Sequence, residues 1–385
     1  MNEEVAELLT DHQEPRPSVR PGPIAIGLIA VAACAAVNGA SASAAGLRVT
    51  TGSELFGVTC VSARDCWAVG GRMAGAKVVT LIEHWNGSGW SASRSGNPSG
   101  STRATLDAVS CARASACWAV GSYAHSGKTL ALVERWNGAK WTLATAARPP
   151  ASVDVTLAAV SCPAVRTCMA VGINGLLTLA ERWNGTRWLL SGSISRGTQE
   201  SLLGAVSCAS TTSCWAGGTW LSTSTSGTLT EHWNGHKWAL THTGTSAVAG
   251  AALNGIACRR SFCMAVGNRN ARALAQHLAG GKWTVAYPPT PAGGTSARLA
   301  GVSCATTSAC MGIGDFTMSS NPHALAERWN GSMWSVVAAP SPSSQTQLAA
   351  VACTSVGNCW AVGFTGATFA KLIEHWTSGK WVVVH

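Results

Sequence analysis

Fourteen cysteines in seven close pairs constrain this chain more than any other feature. The pairs are Cys60/Cys66, Cys111/Cys117, Cys162/Cys168, Cys208/Cys214, Cys258/Cys263, Cys304/Cys310 and Cys353/Cys359, and successive first cysteines lie 46 to 51 residues apart. A repeat of that length is one supersecondary unit, too small to bury its apolar face alone, so the copies must pack on one another. Around each pair the same phrase returns. One strand reads Leu106-Asp107-Ala108-Val109-Ser110-Cys111 and a second Cys117-Trp118-Ala119-Val120-Gly121. A third follows as Leu130-Ala131-Leu132-Val133-Glu134-Arg135-Trp136, and a fourth as Lys140-Trp141-Thr142-Leu143. Asn-Gly separates the last two at Asn86-Gly87, Asn137-Gly138, Asn184-Gly185, Asn234-Gly235 and Asn330-Gly331. It is the strongest short hairpin signal, because both residues tolerate positive φ.

Four short strands per repeat, seven times over, predict an all-β, seven-bladed β-propeller with four antiparallel strands per blade. A solenoid of stacked hairpins is the alternative. The blades start near residues 55, 106, 157, 203, 253, 299 and 348, and their first strands are rich in Ala, Gly and Ser, which suits a crowded innermost strand. Proline-bearing connectors such as Pro288-Pro289 and Pro340-Ser341-Pro342 follow the fourth strand.

The pairs could bind metal, but a zinc site needs four ligands at tight spacing, and no His accompanies them. One structural disulfide per blade is the simpler reading. It fits an exported chain, where an even cysteine count forms a disulfide framework. The fifteenth cysteine, Cys34, lies in a different context. Arg16 and Arg20 precede an apolar run from Ile24 to Val37, and small residues follow through Ala45. That is the pattern of a secretory signal over 1–45, with cleavage after Ala42 or Ala44, leaving the propeller as 46–385. The run is shorter than the roughly 20 residues a spanning helix needs. Val31-Ala32-Ala33-Cys34 also matches a lipobox, which would make Cys34 a lipidated N-terminus and the only membrane attachment. The chain is expected outside the cell membrane, secreted or at the cell surface, as a monomer.

The recurring Glu-[His/Arg]-Trp phrase looks catalytic until it is counted. Glu83, Glu134, Glu181, Glu231, Glu327 and Glu374 hold one place in six repeats, with Gln276 in the fifth. Six carboxylates related by rotation cannot converge on one bond, as a glycosidase pair must. They are expected to accept hydrogen bonds or ion pairs within each blade. Seventeen of eighteen Trp also recur at repeat positions and read as packing between blades.

Function is sought where a residue differs from its repeat-mates. Asp107 stands on an inner strand where sister repeats hold Ala158, Ala300 and Ala349; Asn254 and Phe56 fill the same slot. Trp220 is the one off-repeat tryptophan, expected in the loop between second and third strands of the fourth repeat. Repeat five adds an arginine cluster, Arg259, Arg260, Arg269 and Arg272. From Gly46 onward there are 25 Lys and Arg against 12 Asp and Glu. Such an excess favours an anionic partner, and equally serves solubility. The leading reading is a recognition or scaffold module that binds an anionic polymer, a glycan or a protein, without cofactor or metal and with no catalytic residue assigned. The alternative is a glycan- or wall-directed hydrolase or lyase, with Asp107, Asn254 and Asp315 at the channel mouth.

The Trp-Asn-Gly-x-x-Trp element and the Val-Gly ending the second strand resemble kelch repeats. Gly138-Ala139-Lys140-Trp141 resembles the tail of a sialidase Asp box, although Trp136 stands at the box's Asp position. The whole phrase Val-Ser-Cys…Cys-Trp-Ala-Val-Gly…Glu-His-Trp-Asn-Gly resembles exported seven-repeat propellers of actinobacterial type across residues 55–385. That resemblance implies fold and export; it implies no ligand.

Overall fold

Alternation of apolar and small residues at period two makes each recurring phrase a strand, and the turn residues between phrases set the reversals. In a computed structural model the chain is described over residues 52–150, 154–245 and 248–384. The expected signal region with Cys34 lies outside the described residues. Twenty-eight strands fall into seven consecutive antiparallel fours. The first blade runs β1 (Ser53–Ser62), β2 (Asp65–Ala74), β3 (Lys77–Trp85) and β4 (Trp90–Ser93). A single parallel bridge from Val78 to Arg103 ties it to the second blade.

The first strands of the seven blades are β1, β5 (Arg103–Arg113), β9 (Val155–Ala164), β13 (Glu200–Ser210), β17 (Ala251–Arg259), β21 (Ser296–Thr306) and β25 (Thr346–Ser355). They begin two or three residues ahead of the positions expected from sequence. They pack on one another in that order, and β25 packs back on β1. All the strands of the last blade come from the segment Thr346–Val383, so no strand is exchanged with the first blade among the described residues. Side chains join the two instead. Trp360 sits 4.7 and 5.2 Å from the rings of Trp85 and Trp90, and Leu55, Leu81, Val362 and Ile373 share their core cluster.

The same wedge recurs at the other junctions. Trp67 of the first blade lies against Trp136 and Trp141 of the second, and Trp118 against Trp183 and Trp188 of the third. Met169, Met264 and Met311 take the wedge position at three junctions, each clustered with the Trp pair of the following blade. Methionine fills the space because its unbranched chain adapts to the gap.

Each first strand carries a bulge one residue past its shared leucine, leaving Phe56, Asp107, Ala158, Gly204, Asn254, Ala300 and Ala349 outside the ladder. A bulge bends the strand and re-aims one side chain. The next residue is small because neighbouring inner strands nearly touch there. A Cβ on Gly57 would lie 2.9 Å from Ala108 Cα, and one on Gly255 2.9 Å from Gly301 Cα.

All seven disulfides form within blades, joining the first strand to the second, with Cα atoms 3.9 to 4.1 Å apart. The second cysteine of each pair points into the core. Cys66, Cys117, Cys168, Cys214, Cys263, Cys310 and Cys359 are 0 to 3% exposed. Their partners differ: Cys162 and Cys304 are buried, while Cys60, Cys111, Cys208, Cys258 and Cys353 are half-buried at the ends of the inner strands.

The Asn-Gly hairpins differ from the expected two-residue turn. Trp85 pairs with Trp90, so the loop has four residues. Only the glycine takes positive φ, and Asn86 Oδ1 accepts the Ser88 and Gly89 N–H groups. Between third and fourth strands, two-residue turns with positive φ at both centres occur in the two blades that lack Asn-Gly, at Gly280-Gly281 and Ser378-Gly379.

The repeated glutamates are buried, as a structural role requires, but their partners come from the neighbouring blade rather than their own. Ser95 Oγ and the Gly96 N–H, both in the connector after the first blade, donate to Glu134 at 2.6 and 3.0 Å. The Ala147 N–H donates to Glu181 at 2.9 Å, and the Ile194 N–H to Glu231 at 3.2 Å. Gly96, Ala147 and Ile194 each stand six residues after their blade's fourth-strand Trp. In the fifth and sixth blades that place is Pro289 and Pro340, which have no N–H to give. Among the described residues the carboxyl oxygens of Glu327 and Glu374 have no hydrogen-bond partner. At the closure Lys371 Nζ meets Glu83 Oε1 at 2.6 Å.

Candidate functional site

First and third strands run the same way, so the disulfide hairpins and the third-to-fourth hairpins share one face of the ring. Gly87 of one hairpin tip lies over Arg64 of the other, and Gly185 over Arg166. The connectors and second-to-third hairpins share the opposite face. Both faces carry Lys and Arg, and they differ in their carboxylates.

Of the twelve carboxylates in the described residues, six are the buried third-strand glutamates. Glu54, Asp107, Asp154, Glu200 and Asp315 lie on the inner strands or toward the connector face. Asp65 alone is left on the disulfide face, where it meets His84 Nε2 at 2.9 Å. On that face the hairpin tips expose Arg64, then Arg113 and Lys140, Arg166 and Arg187, Lys237, Arg259 with Arg260 and Lys282, and Lys380.

The cysteines give this face its shape but not its chemistry. Cys66, Cys168, Cys214 and Cys263, like Cys117, Cys310 and Cys359, lie in the core beneath the hairpins. Their sulfurs are bonded in disulfides and buried, so these residues are part of the framework.

Asp107 occupies the bulge of β5. Burial lifts its carboxyl to about 7, against the opposing pull of Arg103 and a Thr105 hydrogen bond. Asn254 occupies the equivalent bulge three blades away and donates to the Leu299 carbonyl of the next inner strand at 3.0 Å and to Asn268 at 3.4 Å. Asp315 is on β22 (Ala309–Met318), 2.6 Å from Arg298 Nε. Burial raises its carboxyl even beside that guanidinium. Arg298 also donates to Gln347 of the last blade at 3.1 Å. Each of the three polar residues at the proposed channel mouth is therefore held by its own neighbours.

Trp220 lies within β14 (Ser213–Leu221) rather than in a loop, and it is only 6% exposed. The Arg196 guanidinium covers its ring at 4.9 Å. The four arginines of the fifth blade are not one cluster. Arg259 and Arg260 sit at the hairpin before β18 (Phe262–Arg269), and Arg269 and Arg272 at the hairpin after it. A strand of that length separates them by about 25 Å at roughly 3.3 Å per residue. Arg269 donates to the Tyr287 hydroxyl at 2.9 Å and Arg272 lies over the Tyr287 ring. Arg259 Nε donates to the Cys304 carbonyl of the next blade.

That last contact replaces a latch that the motif reading missed. Ser110, Ser161, Ser207 and Ser303, the Ser of Val-Ser-Cys, each accept the N–H of the following blade's first cysteine at 2.9 to 3.0 Å. The fifth blade has Ala257 there, and the arginine spans the junction instead. Also missed is a groove of about 380 Å³ on the outer rim between third and fourth blades, lined by Arg182, Leu190, Ser191, Gly192, His236 and Lys237 among others. Its one sequence signal is Gly192, where sister blades carry Arg94, Thr145, His242, Tyr287 and Ala338.

No protein-family model matches the chain, and no curated protein matches it. Solved structures do. The GH74 xyloglucanase from Xanthomonas campestris aligns over 87% of this chain and 55% of its own, at 16% identity and a TM-score of 0.57. This chain thus spans about half of that enzyme. YCF48 from Cyanidioschyzon merolae aligns over 86% of this chain and 97% of its own, at 10% identity and a TM-score of 0.50. At such identities the likeness is one of fold, and it supports the β-propeller.

Proposed function

We propose that this chain is an exported recognition propeller whose disulfide face holds an anionic polymer, an acidic glycan foremost. The observation that carries the reading is the near absence of carboxylates on that face: exposed Lys and Arg stand on the hairpin tips of six blades against a single carboxylate, whereas the cations of the connector side are interspersed with five. A face of one sign attracts and orients a polyanion. Placement outside the cell membrane is supported by seven disulfides, a framework typical of oxidising compartments. The N-terminal signal pattern over 1–45, with Cys34 as the lipid-attachment alternative, agrees with export.

The polar residues weighed for hydrolysis favour binding, since Asp107, Asn254 and Asp315 are each tied to local partners. The test is retention of the mature, oxidised chain on immobilised sulfated polysaccharide, followed by sizing of the polymer recovered. Salt-reversible retention with intact polymer is expected. Passage without retention would end the polyanion reading, and shortened polymer would revive the hydrolase.

A further inference from the structure

We propose that the groove between the third and fourth blades is the subsite that takes one acidic sugar unit of the polymer, a proposal that rests on the polyanion reading above. Its walls come from two blades. Arg182, near the end of β11 (Leu177–Trp183), and the short β12 (Trp188–Leu190) form one side. His236 and Lys237, at the tip joining β15 (Ser226–Trp233) to β16 (Trp238–Leu240), form the other.

The groove depends on one residue. A Cβ on Gly192 would meet nothing within 4 Å, so the space that Thr145 or Tyr287 takes up in sister blades stays open here. At about 380 Å³ it is within the range of small-molecule sites.

Its polar groups select an anion. Arg182 and Lys237 make no ion pair among the described residues, and no carboxylate lines the groove. Two buried groups in the wall, Ser191 Oγ and Trp233 Nε1, have no hydrogen-bond partner among the described residues. The sister Trp85 and Trp136 donate the same N–H to the Ala63 and Ala114 carbonyls, while that of Trp329 in the sixth blade is unpartnered like Trp233. Trp233 Nε1 and the two cationic side chains can only donate, and they match the acceptor-only oxygens of a carboxylate or sulfate. Leu189 and the 43%-exposed Leu190 supply an apolar wall for the C–H face of a sugar ring. The one large aromatic ring in the lining, Trp233, is 6% exposed, which leaves no platform for a stacked base.

The test is titration of the full oxidised protein with a heparin-derived tetrasaccharide, for wild type, Gly192→Val and Lys237→Gln. Gly192→Val narrows the groove with a side chain of the shape of Thr145, which the second blade carries at that place. Lys237 is exposed at a hairpin tip, so a binding loss in the second variant is not a loss of fold. Each variant is expected to weaken tetrasaccharide binding tenfold or more, while retention on long-chain heparin, held by the other hairpin tips, falls much less. Wild-type affinity in both variants would overturn the subsite and leave the polyanion reading intact. Failure of the wild type to bind either ligand would overturn both. Equal binding of a single-stranded oligonucleotide of matched charge, or full displacement by stoichiometric inorganic sulfate, would overturn the sugar assignment.

Discussion

The junctions of the first four blades and those of the last three bury the same carboxyl group in different company. Between blades one and four, backbone N–H groups of the preceding connector reach Glu134, Glu181 and Glu231. At the fifth-to-sixth and sixth-to-seventh junctions proline occupies the donor's place, and Glu327 and Glu374 stand alone among the described residues. The carboxyls follow that order. Burial raises all of them, but Glu181 and Glu231, with one donor residue each, reach about 7, while Glu327 and Glu374 reach about 8. Glu134, with two donors, is raised by burial and pulled back by both. A hydrogen bond to the charged form stabilises it, and removing the donor leaves only desolvation. The fifth blade replaces the acid with the neutral isostere Gln276.

The largest expected effect is on pH dependence. A carboxyl whose folded pKa lies above its unfolded value keeps its proton in the native state while the unfolded chain loses it. Stability is then full below about pH 4.5 and falls as pH rises toward 8, by about 1.4 kcal/mol per pH unit for each such group. Paired Glu327→Gln and Glu374→Gln should therefore stabilise the protein by several kcal/mol at pH 8.5, on the order of the linkage just given, and change little at pH 5. Denaturant midpoints across that range check it; a wild-type slope in the double variant would break the comparison.

Disulfides are alike in both regions, so they supply the control. Replacing Cys111 and Cys117 by Ser should cost somewhat under ~3 kcal/mol on the loop-entropy account, and the Cys353 and Cys359 pair, with the same half-buried first and buried second cysteine, the same. Unequal losses in urea titrations would mean that the two regions differ in more than their carboxyls.

Ala147→Pro copies the later junctions into an early one. It should orphan Glu181, destabilise the fold by about 1–3 kcal/mol and move that carboxyl toward the behaviour of Glu374. Pro340→Ala is the reverse swap and should recover roughly 1 kcal/mol above pH 8 if its N–H reaches Glu374. The closure offers a test of the same size. Lys371 is partly exposed but Glu83 is buried, so Lys371→Met leaves that carboxyl without its cation and should cost about 1–3 kcal/mol, measured by the shift in thermal midpoint at low salt.

The fold was legible because its signals are local and repeated. Cysteine spacing, strand phrases and turn residues each recur seven times, and the ladder and bridges follow them. The candidate site was much less so. Asp107 and Asn254 stood out as departures from the repeat, and both occupy axial bulges. Trp220 breaks the pattern and reads as a loop residue, yet it extends a strand under Arg196. Arg259 to Arg272 are neighbours in sequence, but one strand's length puts them on opposite faces.

Period, strand count and cysteine pairing were properties of the sequence by itself, since each rests on contacts between residues a few positions apart. Tertiary structure alone decided which blade satisfies which glutamate, how the last blade meets the first, and where Gly192 opens a groove. Those outcomes depend on groups about 35 to nearly 300 residues apart meeting across a junction, and nothing in a local pattern records whether the partner brings an N–H, a proline or an open space.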